Sequence, residues 1–398
     1  MNAKNALALL GLFAAFGLGA ARFHADSHAA IVAPADPDAF DEVVLPVGDG
    51  PASLAIADVN HDGHPDILVA NTESQTLSVL LGDGHGHFHP APGTACATGP
   101  GPNDIAIGDF NGDGNLDLAI ANTGTPNLTI LLGDGKGGFV PAPHSPFATR
   151  SKPHVHGVAV GDFNGDGKLD VVTDDWGNNQ FLLLLGDGLG NLASPGVPFP
   201  TGKRPYQRLR SADFNRDGRP DVVTTNLDEN TVSILLGDGR GGFVNAAGSP
   251  FPAGAAPWAV AVADMNGDGN LDLVVVPYDR DVPDPQQIGV TVLLGDGRGG
   301  FRKMRGSPFS LAGCTGPDRV ATGDINGDGI RDIVVSCAQS NNLIFFMGTK
   351  DGGYRITSRA MKDIGWSGLD VADLNGDGKA DVVVANHEAG TITILFGK

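Results

Sequence analysis

The segment Asp162-Phe163-Asn164-Gly165-Asp166-Gly167-Lys168-Leu169-Asp170 holds an Asp-x-Asn-x-Asp-Gly-x-x-Asp pattern that returns seven times in 398 residues. From first Asp to first Asp the intervals are 51, 53, 51, 51, 60 and 49 residues, the period of one propeller blade. None of the copies is degraded at its four side-chain positions. The chain is therefore expected to be a repeat protein with one such loop in each unit.

The residue types at that spacing are those of a calcium loop. A hard cation takes about six to eight oxygens at roughly 2.3–2.6 Å, and a tight loop supplies them from alternate residues. Positions 1, 3, 5 and 9 carry the side-chain oxygens. These are Asp58, Asn60, Asp62 and Asp66; Asp109, Asn111, Asp113 and Asp117; Asp162, Asn164, Asp166 and Asp170; and Asp213, Asn215, Asp217 and Asp221. The last three sets are Asp264, Asn266, Asp268 and Asp272; Asp324, Asn326, Asp328 and Asp332; and Asp373, Asn375, Asp377 and Asp381. Position 7 offers only its carbonyl, which explains why it varies freely as His64, Asn115, Lys168, Arg219, Asn270, Ile330 and Lys379. Glycine at position 6 permits the sharp turn. A hairpin turn alone needs only two Asn-Gly or Asp-Gly residues and would not keep four oxygen donors in register. Up to seven Ca²⁺ ions are expected, and magnesium less so, because it prefers to keep its waters.

Apolar runs of strand length flank each loop. The first unit reads as four strands: residues 53–58 into the loop, 66–71 out of it, 76–82, and 88–92 after a Gly-rich turn. Continuously apolar segments such as Phe181 to Leu185 mark strands covered on both faces, as when each sheet is sandwiched between two others. The Gly-rich turn repeats and ends in an aromatic, usually Phe, expected to plug the space between blades. The last unit stops at Lys398 without a fourth strand, while Phe40 to Val47 precedes the first loop with nothing of its own to pair with. The expected fold is all-β, a seven-bladed β-propeller of four-stranded antiparallel blades over residues 40–398, closed when Phe40–Val47 pairs with the C-terminal blade. Closure removes exposed sheet edges.

Composition excludes one class of partner. With 46 acidic and 26 basic residues, the chain is unsuited to nucleic acid, and seven divalent cations would neutralise most of the excess. Lys4 followed by the apolar run Ala6 to Ala21 reads as a secretory signal, with residues 1–30 as signal and lead and 31–39 as linker. Cleavage is expected near Ala20 or Ala29, with an uncleaved anchor as the alternative; no other stretch could span a membrane. The product is expected to be a monomer outside the cell, in the periplasm or at the cell surface. Cys314 and Cys337 flank one predicted hairpin and are candidates for a disulfide, which leaves Cys96 unpaired.

These loops and their spacing resemble the FG-GAP/VCBS repeat family, the blade type of the integrin alpha-subunit propeller and of many secreted bacterial proteins. The resemblance covers about residues 40–398. It implies a seven-bladed propeller with Ca²⁺ between the first and second strands of each blade. The family's Gly-Ala-Pro landmark is only partly present, as in Gly254-Ala255-Ala256-Pro257, and no Arg-Gly-Asp occurs.

Antiparallel topology puts the calcium loops and Gly-rich turns on one face and the remaining connections on the other. The rare residues sort to that second face: Trp176, Trp258, Trp366, Tyr206, Tyr278 and Arg280, with His154 and His156. On the inner strands, where small residues such as Ala55 and Ala106 suit the crowded axis, Arg208, Arg210, Arg319 and Asp370 stand out. They are expected either to form ion pairs inside the ring or to line an anion or sugar site at the channel mouth. The long connection 277–287 is a candidate lid, and His85, His87 and His89 read as exposed surface residues. The acidic residues repeat with the blades and so belong to the scaffold. The expected function is a non-catalytic adhesion or binding module for a glycan or extracellular protein. The alternatives are an extracellular polysaccharide lyase or hydrolase acting at the channel mouth, and a structural component of the cell surface.

Overall fold

The computed structural model describes residues 33–34, 39–92, 96–206, 209–279, 282, 288–366 and 368–398. Signal segment 1–30 lies outside them. Seven antiparallel sheets follow one another along the chain. In the first, Pro51–Ala57, Asp66–Asn71 and Thr76–Gly82 run from the axis outward. Every residue of the second strand is buried, in this blade and in the other six. Such strands have a sheet on each face, which is why they read as unbroken apolar runs.

Phe40–Pro46 closes the ring. It pairs antiparallel with Thr391–Gly397, from Phe40 opposite Gly397 to Pro46 opposite Thr391. The seam is continuous with the rest: Leu54 and Phe88 of the first blade share an apolar cluster with Ile392, Ile394 and Phe396 of the last. The turn aromatics sit between blades. Phe243 packs edge-on against Phe181 of the preceding blade, with ring centroids 5.1 Å apart. Residues 33–34 add a short parallel pairing to Thr357 and Ser358.

The fourth strand differs from expectation. In the first blade it is not one run over 88–92 but two pieces, Phe88–Pro90 and Cys96–Ala97, both pairing with Thr76–Gly82. The second, fourth and fifth blades show the same break. In these last three a Ser-Pro pair stands at the break. The hydroxyls of Ser145, Ser249 and Ser307 accept the N–H groups of Ile130, Ile234 and Val292 at 2.9–3.0 Å. Each hydroxyl replaces the carbonyl the departing strand withdraws, and the following proline has no N–H to leave unpaired. An edge strand tolerates both changes.

The sulfurs of Cys314 and Cys337 are bonded in the sixth blade, closing a 23-residue separation. Cys96 is free and half-buried. A loop of that size is worth about 3 kcal/mol. Replacing both cysteines by serine is therefore expected to lower the urea midpoint measurably, with m rising as the released denatured chain exposes more surface; an unchanged midpoint would show that the bond adds nothing.

Candidate functional site

The seven loops share one internal architecture. The residue after the first Asp is apolar and buried in each: Val59, Phe110, Phe163, Phe214, Met265, Ile325 and Leu374. Its N–H donates to Oδ2 of the ninth residue of its loop at 2.8–3.0 Å. Oδ1 of the same carboxylate accepts the N–H of the glycine at the end of the third strand, or two residues past it for Gly186, at 2.7–3.1 Å. The ninth residue, Asp66 in the first blade and Asp381 in the last, thus latches the loop to the strand beyond it. The first Asp accepts the N–H of the position-6 glycine at 2.7–2.9 Å. The loop is also tied to the next blade: the carbonyls of Phe110, Phe163 and Phe214 accept N–H groups of Gly190, Gly241 and Gly299 in the following Gly-rich turn.

The electrostatics of the latch are unfavourable. Burial, reinforced by the carboxylates at positions 5 and 1, pushes Asp170, Asp221, Asp272, Asp332 and Asp381 up to about 6 against two lowering backbone hydrogen bonds. Asp66 and Asp117 are raised by the same causes. Among the described residues no three His, Cys, Asp or Glu side chains surround one point closely enough to hold an ion as placed. Instead, the loop carboxylates accept N–H groups. The donor set nevertheless fits a hard cation, since it offers only oxygens and its buried carboxylate is repelled by two others.

A sign follows for metal-free protein. Raised carboxylates contribute stability that is full below about 3.8 and lost as pH rises through about 6. Calcium-depleted protein is therefore expected to melt higher near pH 5 than near pH 7. Were the loops loaded with calcium, the opposite slope would be expected, because protons would compete with the ion. Parallel slopes in the two samples would contradict this.

On the opposite face, rings from several blades converge. Tyr206 lies against Trp258, with centroids 4.6 Å apart, and Trp258 stacks on Tyr278 at 4.3 Å. Trp366 approaches both at 6.2–6.5 Å. With Asn103, Asp318 and Arg319 they line a cleft of about 220 Å³. Trp258 Nε1 donates to Asp318 Oδ1 at 3.1 Å, and Arg319 Nη1 stands 3.3 Å from the same oxygen. Asp318 Oδ2 is buried with no hydrogen-bond partner among the described residues. Tyr206 continues the row to Trp176 at 5.1 Å and His156 at 4.2 Å.

Arg210 and Asp370 line the axial channel, where Arg210 stands 3.6 Å from Asp104. Arg208 and Arg280 lie outside the described residues, as does most of the 277–287 connection. His85, His87 and His89 are exposed, and His87 pairs with Asp83 at 2.9 Å. The sequence reading overlooked Asn103 and Asp318. Both stand six residues before their loop's first Asp, the column that also holds His156 and Trp258. Comparing that column would have found them.

The model of the FG-GAP-like repeat matches residues 58–120, 109–173, 213–275 and 324–384. Over 185 residues, 43% of this chain, the sequence is 28% identical to cartilage acidic protein 1 of Mus musculus and of Homo sapiens. The chain spans 28% and 27% of those relatives. Virginiamycin B lyase from Staphylococcus aureus superposes with a TM-score of 0.56 over 90% of this chain and 99% of that one, at 14% identity. The periplasmic gluconolactonase PpgL of Pseudomonas aeruginosa gives 0.55 over 76% and 83%, at 18% identity. At such identities the likeness is one of fold alone. No helix of the described residues is long and apolar enough to cross a membrane.

Proposed function

We propose that this chain, which belongs to the FG-GAP-like repeat family, is a secreted, calcium-stabilised propeller that binds a glycan or an extracellular protein without catalysis. The observation that carries the proposal is the aromatic cleft around Trp258, with a buried Asp318 oxygen and Arg319 at its floor. Aromatic rings and arginine are favoured anchors, and an unpaired buried carboxylate oxygen calls for a donor from outside. In each loop the side chains at positions 1, 3, 5 and 9 and the carbonyl at position 7 would hold the ion; in the first these are Asp58, Asn60, Asp62, Asp66 and the carbonyl of His64. When bound, calcium would neutralise the repelling carboxylates and stiffen the joint between blades. The Cys314–Cys337 bond supports an oxidising compartment.

A glycan and polysaccharide array in calcium buffer, read for retention and for released product, tests the function. Retention lost at least about tenfold on Trp366→Ala, with calcium content and melting temperature unchanged, is the expected result. Retention indifferent to Trp366 would place binding elsewhere. Product release would establish the lyase or hydrolase alternative. Capture of a cell-envelope protein by the same face, with no glycan retained, would identify a protein partner.

A further inference from the structure

We infer that His154 and His156 form a site for one borderline transition-metal ion, Zn²⁺ or Cu²⁺, on the face opposite the calcium loops. Their Nε2 atoms stand 3.1 Å apart. That is the separation subtended at roughly 95–100° by two nitrogens about 2.0–2.1 Å from a common ion. The ring centroids lie 4.5 Å apart with planes at 71°, well short of 3.1 Å plus two ring radii. The two Nε2 directions are therefore inclined to each other rather than facing head-on.

The surroundings fix which nitrogen is free. His156 is buried, and its Nδ1 stands 3.3 Å from Oδ2 of the buried Asp174. Asp174 Oδ1 accepts the N–H groups of His156 and Gly157, both at 2.7 Å, so the carboxylate cannot turn away. A carboxylate held this way keeps the proton on Nδ1 and leaves Nε2 of His156 as a lone-pair donor, the arrangement found behind metal-bound histidines. His154 is half-buried, so the pair is reachable from solvent. Trp176 and Tyr206 wall the site, with ring centroids 5.9 and 4.2 Å from His156. No group of three potential side-chain ligands occurs among the described residues. Two positions on the protein and the rest open to water or a ligand is the composition expected. Imidazole ligands select zinc and copper over calcium, so the ion would not compete with the oxygen loops. The site stands independently of the proposed glycan or protein partner.

The test titrates Zn²⁺ into untagged, calcium-saturated full chain by calorimetry. A parallel series reads Cu²⁺ by tryptophan quenching and by nitrogen splitting in its EPR spectrum. One equivalent of ion with two coupled nitrogens is expected. His154→Ala should weaken binding at least about tenfold, and Asp174→Asn by about 10- to 100-fold. Melting temperature and calcium content of each variant separate loss of ligand from loss of fold. If Asp174→Asn does not fold, His154→Gln, altered only on the half-buried side, gives the decision. No binding, or binding indifferent to His154→Ala and His154→Gln, overturns the site and leaves a histidine pair sharing a proton.

Discussion

Stripping calcium from the folded chain is expected to lower its melting temperature by roughly 20 °C or more, the largest effect predicted for this protein. Each ion bound only by the native state contributes about 1.4 kcal/mol at ten times its dissociation constant and about 2.7 kcal/mol at a hundred times. Seven loops multiply that term. Three of the loops also bear on two blades, since Phe110, Phe163 and Phe214 pass their carbonyls to the Gly-rich turn of the next blade. Losing the ion leaves buried carboxylates such as Asp221 and Asp332 facing two other charges of their own loop. A chelator melt against millimolar calcium reads the effect. Coincident curves would remove the metal from the account of stability.

Deleting the chain up to Val47 is expected to be the next most damaging change, at about 5 kcal/mol from the apolar surface of Phe40, Val43 and Leu45 alone. The seven-residue pairing of Phe40–Pro46 with Thr391–Gly397 would be lost. So would the stack of Phe40 on Phe345 at 5.3 Å, and the ion pairs of Glu42 with Arg359 and Asp41 with Lys398, both at 2.8 Å. The last blade would then present an unpaired edge rich in Ile and Phe, which recruits other chains. Size-exclusion chromatography should show aggregation, and the soluble fraction should melt lower. A monomeric truncation with an unchanged melting curve would mean that the ring does not depend on this seam.

Much of the ring was legible because its signals are local and repeat. The loop pattern needs nine consecutive residues, and the closing strand follows from counting: the seventh unit lacks a partner that Phe40–Val47 supplies. The broken fourth strand was not legible by alternation, because its cause is a hydrogen bond from Ile130 to Ser145 across fifteen positions. The apolar residue after each first Asp lay inside the motif, yet its sizes range from Val59 to Phe214. Only packing reveals its common burial. The face of the cleft was readable from topology, but not its membership. Tyr206, Trp258 and Trp366 belong to different blades, and curvature of the ring, not proximity in the chain, brings them together. Asp174 and Asp318 remained hidden for a related reason: among 46 acidic residues, nothing local separates a carboxylate that orients a histidine from one that faces water.

Counting bound ions tests the central claim most directly. Native mass spectrometry of the folded chain in calcium is predicted to give seven ions per molecule, falling to six when Asp213 and Asp217 are both replaced by Asn. A chain that carries none while folded, or that keeps its full count in the double variant, would contradict the account.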